Sequence, residues 1–452
     1  MNDLSTTPDE TARGRKKALH SNGAASILTQ GCKTAVAGLW LLLLARFLVP
    51  EQLGIYLAAF SLVRVFGVIA TLGLDRILVK HFVENPGHVR SLIWRGLVIK
   101  FIAFLVAYGS LLLTVAALFP RQPLLLTVSA IMGVSLLSQT IEVIDFYFQS
   151  CGKMWLIFLG RALPLVLALA LKLCWLNFHP SLIVIAVLEI AETLLVTIGL
   201  LCVFSRNKPA ANTSQTPSPQ LSLMLHQGLP LLVSSLAIIL YMKADVIMLG
   251  RMVGPIQTGL YGVAAQLSEM WAFIPLALAA ALFPEIGRWQ SLDHASFWKK
   301  YQVTMQAAFF MAVIVAGLLT YFASPIIVFV FGESYRASAP ILQIHAWSSL
   351  FIFLGIAQSG FDIFQNLTWL ATWRTIAGVA VNILLNLIWI PIYGAKGAAW
   401  ATLISYGCSA FLLNSVHKST RPVFLIQLRS MLLLDLKNLI AICRVSLSRG
   451  NS

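Results

Sequence analysis

Twelve long apolar stretches succeed one another along this chain with only short polar breaks, each near the ~20 residues an α-helix needs to cross a bilayer. They run from Ala24 to Leu48, Leu53 to Leu74, Ile93 to Phe119, Leu124 to Phe148, Met154 to Leu176 and Leu182 to Phe204, then from Met224 to Gly250, Leu260 to Phe283, Tyr301 to Phe322, Ile341 to Ile363, Trp369 to Ile392 and Ala398 to Val416. With 58% of residues hydrophobic and 11% charged, one aqueous core could not hide this surface, so lipid is the expected solvent. The pattern predicts an all-α integral membrane protein of about twelve transmembrane helices.

Those twelve fall into two related sets. Arg46-Phe-Leu-Val-Pro50-Glu-Gln52-Leu-Gly54-Ile-Tyr56-Leu-Ala-Ala59-Phe-Ser-Leu62 aligns without gaps on Arg251-Met-Val-Gly-Pro255-Ile-Gln257-Thr-Gly259-Leu-Tyr261-Gly-Val-Ala264-Ala-Gln-Leu267, with 7 of 17 positions identical at an offset of 205. A second echo pairs Phe148-Gln149 with Phe364-Gln365, each preceding a helix that carries an arginine, Arg161 and Arg374. Duplicated helical halves are a common plan for transporters, with the substrate site between them. The expected organisation is a cytoplasmic tail (1–23), an N-terminal six-helix lobe (24–204), a polar cytoplasmic linker (205–222), a C-terminal six-helix lobe (223–416) and a basic amphipathic cytoplasmic tail (417–452). The two lobes would be pseudo-equivalent and arranged around a central cavity.

Lys and Arg near helix ends stay on the cytoplasmic side. Placing the N-terminus inside puts 20 of the 32 Lys and Arg in cytoplasmic segments and leaves Arg46, Arg121, Arg251, Arg336 and Lys396 outside. Both termini are therefore expected in the cytoplasm. The net charge of +15 then reflects topology and anionic lipid, and charges dispersed between spans argue against nucleic acid as a partner. Met1 to Ser21 is polar and basic without an apolar core, so it reads as a tail and not a signal peptide. The six scattered cysteines show no Cys-x-x-Cys spacing and indicate neither a disulfide framework nor a zinc site. After the twelfth stretch, Leu425, Leu428, Leu432, Leu436, Leu439 and Cys443 recur at helical spacing beside Arg429, Lys437 and Arg444. This predicts a basic amphipathic helix on the inner leaflet, with a helix packed under the bundle as the alternative.

Function is sought in charges buried within the stretches, because each costs at least ~2.5 kcal/mol there unless it faces a bundle interior or water. The basic set is Lys33, Arg64, Arg161, Lys243 and Arg374; Lys100 and Lys172 sit near stretch ends, where long side chains reach the headgroups. The acidic set is Glu142 and Asp145, Glu189 and Glu192, Asp245 and Glu269, read as coupling or lobe-pairing residues. Gln30, Lys33 and Thr34 share a face of the first helix, and Ser61, Arg64, Val68 and Thr71 a face of the second. Such a basic patch suits an anionic headgroup. Offset 205 carries Arg64 onto Glu269, so these two are expected to meet across the lobes. No Gly-x-x-x-x-Gly-Lys-Ser/Thr loop is present, so no P-loop motor is expected, and neither is a cofactor, a metal or a catalytic role. His345, alone in the tenth stretch, reads as a packed residue rather than a proton relay.

Several segments carry a family resemblance. Ala45-Arg46-Phe-Leu-Val-Pro50-Glu-Gln-Leu-Gly54-Ile-Tyr56 resembles the first-to-second helix junction of the polysaccharide-biosynthesis membrane proteins, which include O-antigen flippases. Asp245-Val-Ile-Met-Leu-Gly250, then Gly259-Leu-Tyr261 and Phe283-Pro284-Glu285, resembles the seventh and eighth helices, and Gly394-Ala-Lys-Gly397-Ala-Ala-Trp-Ala401-Thr the opening of the twelfth. The resemblance covers about Ala24 to Val416, and the superfamily also holds multidrug exporters and lipid II flippases.

It implies a flippase moving an undecaprenyl-pyrophosphate-linked oligosaccharide, an O-antigen or other surface-polysaccharide unit, from inner to outer leaflet by alternating access. The implied setting is the bacterial inner membrane, with a polysaccharide polymerase and a chain-length regulator as partners and H+ or Na+ gradient coupling through Asp245 or Glu269. A drug or cation antiporter is the alternative within the superfamily, disfavoured by Lys33 and Arg64. A membrane polysaccharide polymerase lacks the sizeable outer loop it would need.

Overall fold

In the computed structural model of the protein, residues 8–176, 178, 181–209, 221–289 and 294–432 are described. Most of the 205–222 linker and the tail beyond 432 lie outside them. Among the described residues there is no strand. In hydrocarbon every backbone N–H and C=O must be satisfied within its own segment, which leaves the helix as the available form for such apolar runs.

The helices are α1 (Pro8–Phe47), α2 (Pro50–Thr71), α3 (Asp75–Glu84), α4 (Val89–Leu118), α5 (Pro123–Gly133), α6 (Ser138–Ser150), α7 (Met154–Leu176), α8 (Leu182–Arg206) and α9 (Leu221–Met252), followed by α10 (Pro255–Glu269), α11 (Phe273–Trp289), α12 (His294–Tyr321), α13 (Ala323–Phe331), α14 (Ala339–His345), α15 (Ser348–Phe364), α16 (Thr368–Tyr393), α17 (Ala395–Ala410) and α18 (Arg421–Met431). Pro50, Pro123 and Pro255 each open a helix, where the missing N–H would have had no intrahelical partner. Among the described residues ten spans are long and apolar enough to cross a membrane, and an eleventh is broken, its two parts Glu333–His345 and Ser348–Phe364 meeting at 49°. The twelfth stretch forms α17, whose 16 residues fall short of a full crossing. This is a multi-pass membrane protein.

Two compact units make up the chain. Unit 1 comprises Met1–Phe47 and Ala58–Ile239, and unit 2 comprises Leu48–Leu57 and Leu240–Ser452. The division thus falls inside α2 and inside α9 rather than in the linker. Unit 1 packs around an apolar cluster that includes Leu78, Phe82, Ile93, Val143, Phe148 and Leu200. There the chain breaks between α2 and α3 at Leu72 and Gly73, both at positive φ. A β-carbon on Gly73 would lie 2.2 Å from the Gly228 carbonyl oxygen, so this break admits only glycine.

The repeated motif explains itself within unit 2. A β-carbon on Gly54 would come 1.8 Å from the Pro255 carbonyl oxygen, and one on Gly259 would come 2.0 Å from that of Pro50. The two contacts exchange under the 205-residue offset. Identical Pro and Gly at both copies therefore form one close, reciprocal helix crossing, of the kind small residues permit in membranes.

α18 packs on α12 with Val423, Ile426, Gln427 and Ser430 buried, while Leu425 and Arg429 stay exposed. The described part of the C-terminal tail therefore lies against the bundle, and its buried face carries Gln427 and Ser430 as well as apolar side chains.

Candidate functional site

Unit 1 gathers the first set of charges. Arg161 on α7 reaches α6, where its Nη2 pairs with Asp145 Oδ2 and lies 3.7 Å from Glu142 Oε1. Its Nε and Asp145 Oδ1 are buried with no hydrogen-bond partner. Lys33 on α1 is half-buried, and the charges of Arg161, Glu142, Asp145 and Arg64 all act on its ammonium. Among the described residues neither Lys33 nor Arg64 makes an ion pair. Arg64 is exposed while Ser61, Leu62, Val63 and Val65 around it on α2 are buried. Ser61 and Arg64 thus differ in environment, although spacing places them on one face. Three cations against two carboxylates leave this group one positive charge in excess.

A second group in unit 1 corrects the sequence reading. Lys172 and Lys100 do not extend to the headgroups; they are 2% and 0% exposed. Lys172 Nζ lies 2.5 Å from Glu192 Oε2 and 3.1 Å from Glu189 Oε1, and 4.6 Å from the centre of the Trp40 ring. Trp40 Nε1 donates to the same Glu189 oxygen at 2.6 Å. Lys100 Nζ sits 2.9 Å from Asp75 Oδ1 and over the Phe146 ring. A buried ammonium held by carboxylates and an aromatic face no longer needs water.

Unit 2 is built around Asp245 on α9, 3% exposed. Its Oδ2 accepts from the Tyr261 hydroxyl and from Thr402 Oγ1, each at 2.6 Å, and its Oδ1 accepts from Asn386 Nδ2 at 2.5 Å. Asn386 also donates to Asn382 Oδ1 at 3.0 Å, and its own Oδ1 is buried without a partner. Among the described residues Asp245 makes no ion pair: its charge is met by neutral donors. The ring of Tyr261 stands edge-on to His345, which is fully buried and shares a 2.5 Å hydrogen bond with Ser268 through Nδ1. His345 is thus a packed, hydrogen-bonded residue. Nearby on α10, Glu269 is half-buried, with Lys243 the cation acting most strongly on it.

Arg374 stands apart from these. It is 8% exposed and is held by Asp362 and Asn414, within a network of Gln358, Asn414 and Gln427 that ties α15, α16 and α18 together. The second sequence echo extends to this ion pair, since Asp145 with Arg161 in unit 1 parallels Asp362 with Arg374 in unit 2. Asp362, Asn382, Asn386 and Thr402 were not singled out as site residues from sequence, and Tyr261 was noted only as a position of the repeat and of the resemblance. The i, i+4 asparagines 382 and 386 in an apolar helix were the visible signal.

The fold superposes on an inward-facing multidrug resistance transporter of the MATE family, in the MOP superfamily, with a TM-score of 0.65 at 15% identity, covering 89% of this chain and 95% of that one. It also superposes on the lipid II flippase MurJ in an inward closed conformation, with a TM-score of 0.60 at 13% identity, covering 92% and 91%. At such identities the likeness is one of fold. Residues 19–290, more than half of the chain, match the polysaccharide biosynthesis protein family, and the chain belongs to that family. A probable low-salt glycan biosynthesis flippase of Haloferax volcanii, Agl15, is 26% identical over 186 residues, 40% of this chain and 38% of that protein. The matches span less than half the length of the curated relatives.

Proposed function

We propose that this protein is a flippase that carries a lipid-linked oligosaccharide with an anionic diphosphate head from the cytoplasmic to the outer leaflet by alternating access. The expected carrier is an undecaprenyl pyrophosphate bearing a surface-polysaccharide unit, in the inner membrane of a bacterium with both termini in the cytoplasm. Lys33 and Arg64 carry the reading: two cations in membrane-spanning helices of unit 1 without ion pairs of their own. A permanent counter-anion would fill such a site, whereas an anionic headgroup that comes and goes requires it to be left open. Membership of the polysaccharide biosynthesis family supports the glycan, and the Haloferax volcanii relative supports the flipping. No bond is made or broken, so the protein acts as a transporter and not an enzyme.

Energy enters through a cation gradient of H+ or Na+, with Asp245 as the coupling group and Glu269 beside it. A buried carboxylate held by neutral donors alone gains the most from a proton or a small cation. Arg161, Lys243 and Arg374 take supporting places. Arg161 and Arg374 are held by carboxylates of their own units.

The test is Arg64→Ala in cells deleted for the chromosomal copy. The expected outcome is loss of surface glycan, accumulation of lipid-linked units on the inner leaflet and normal membrane levels of the protein. Normal glycan display would remove the cationic site from the mechanism. Accumulation of single units on the outer leaflet would instead mark a polymerase, and restored tolerance to cationic drugs an antiporter.

A further inference from the structure

Unit 2 carries a lipid-facing groove that the transport reading does not use. It lies between α15 and α17, has a volume of about 520 Å³ and is lined by apolar side chains and one glycine, among them Trp347, Phe351, Leu403, Ile404, Phe411 and Leu412. From Leu403 to Leu412 the chain advances nine residues, or ~13 Å at ~1.5 Å per residue. One leaflet contributes about half of the ~30 Å hydrocarbon core, so this groove is as deep as a single leaflet.

The end at Leu412 is chemically distinct. Phe411 stacks on Phe424 of α18 with ring centroids 4.8 Å apart, and Arg421 opens that helix one turn earlier. Arg421 Nε donates to the Ser415 carbonyl at 3.0 Å, three residues beyond the lining Leu412. Lys418, in the intervening turn, is exposed, as is Arg421. Neither makes an ion pair among the described residues. Trp369 lies edge-on to His417 at 5.9 Å and is itself 54% exposed, the placement of an aromatic belt at a membrane interface. An apolar trough one leaflet deep therefore ends beside two unpaired cations at headgroup level.

We propose that this groove holds one acyl chain of an anionic phospholipid of the inner leaflet, its phosphate resting on Lys418 and Arg421. Depth selects a phospholipid acyl chain, which spans one leaflet, over a polyprenyl carrier, whose tail is far longer, and the two neighbouring cations select an anionic head over a zwitterionic one. The bound lipid would seal α15 to α17 on the side where α17 is too short to cross the membrane by itself. The placement in the inner leaflet uses the orientation proposed above; the site is otherwise independent of the transported substrate.

The full-length protein, purified in detergent and delipidated, tests this by native mass spectrometry with phosphatidylglycerol or phosphatidylethanolamine added in equal amounts. The expected result is retention of one phosphatidylglycerol at several-fold higher occupancy than phosphatidylethanolamine. Lys418→Gln with Arg421→Gln should bring the two lipids to equal occupancy, while Ile404→Trp, which fills the groove, should lower both. Lys418→Gln alone, at an exposed position, keeps the test valid should the double variant fold poorly, and should lower phosphatidylglycerol occupancy partway. Equal retention of the two lipids by the unaltered protein would overturn the assignment. So would displacement of phosphatidylglycerol by undecaprenyl phosphate at equal concentration, which would give the groove to the substrate tail.

Discussion

Trp40 in unit 1 and Asp245 in unit 2 each stand six residues before a copy of the repeat, and the polar centres built around them balance charge by opposite means. Around Trp40, two carboxylates from α8 close on the Lys172 ammonium from α7. Around Asp245, a carboxylate meets only neutral donors, Asn386 from α16, Thr402 from α17 and Tyr261 from α10. Unit 1 therefore contains its own tethered cation where unit 2 has none. Duplication supplied one scaffold twice, and of these two centres the one in unit 1 holds an ammonium between its carboxylates while the one in unit 2 holds its carboxylate with neutral donors alone. The centre with its own cation suits a brace. The one without suits a group that loads and unloads a cation.

Removing the charge at Asp245 tests this contrast most severely. Asp245→Asn keeps the size and much of the hydrogen bonding, so the protein should remain inserted, but gradient-driven glycan export should be largely lost, as the removal of a coupling group predicts. Export rate normalised to membrane level measures it, and near-normal export would make Asp245 another brace. Next in size is Lys172→Met, which strands Glu189 and Glu192 without their ammonium and should cost ~3–5 kcal/mol of stability, the usual penalty for breaking a buried pair from one side. Thermal unfolding in detergent should show it, and adding Glu192→Gln should recover part of the loss. A silent Lys172→Met would mean that the Lys172 centre is not a brace.

Gly259→Ala probes the element the two copies share. Its new β-carbon would meet the Pro50 carbonyl oxygen, and forcing extra bulk into a packed contact costs ~1–3 kcal/mol. A lowered unfolding midpoint, matched by Gly54→Ala, is the expected outcome; an effect from one glycine alone would break the reciprocity. At the small end, Arg336→Gln removes an ion pair with Glu333 whose two side chains are 61% and 67% exposed, and no change in stability or export should be detectable.

The fold was legible because hydrocarbon leaves a chain few options: long apolar runs become helices, and a repeat within them becomes two related sets. Breaks inside the runs were less legible. The fourth stretch is interrupted between Gly133 and Ser138 and the tenth bends by 49°, because local backbone turns leave the average hydropathy unchanged. The charges were found by their depth, but depth says nothing about rotation around a helix axis. Lys172 could reach outward to the headgroups or inward to α8, and only the acids of the neighbouring helix decided the matter. Asn382, Asn386 and Thr402 escaped notice as site residues, and Tyr261 stood out only through the repeat, because each is commonplace alone; convergence on one carboxylate is what distinguishes them.

On the proposed mechanism, Lys33 and Arg64 stay unpaired so that an anionic lipid headgroup can occupy them. The most direct measurement reconstitutes the protein in vesicles with a fluorescent undecaprenyl-pyrophosphate-linked oligosaccharide and follows its transfer between leaflets by protection from an external quencher. The unaltered protein should speed transfer well above empty vesicles, and Lys33→Gln with Arg64→Gln should return it to the empty-vesicle rate at equal protein content. Transfer by that double variant at the unaltered rate would contradict the account.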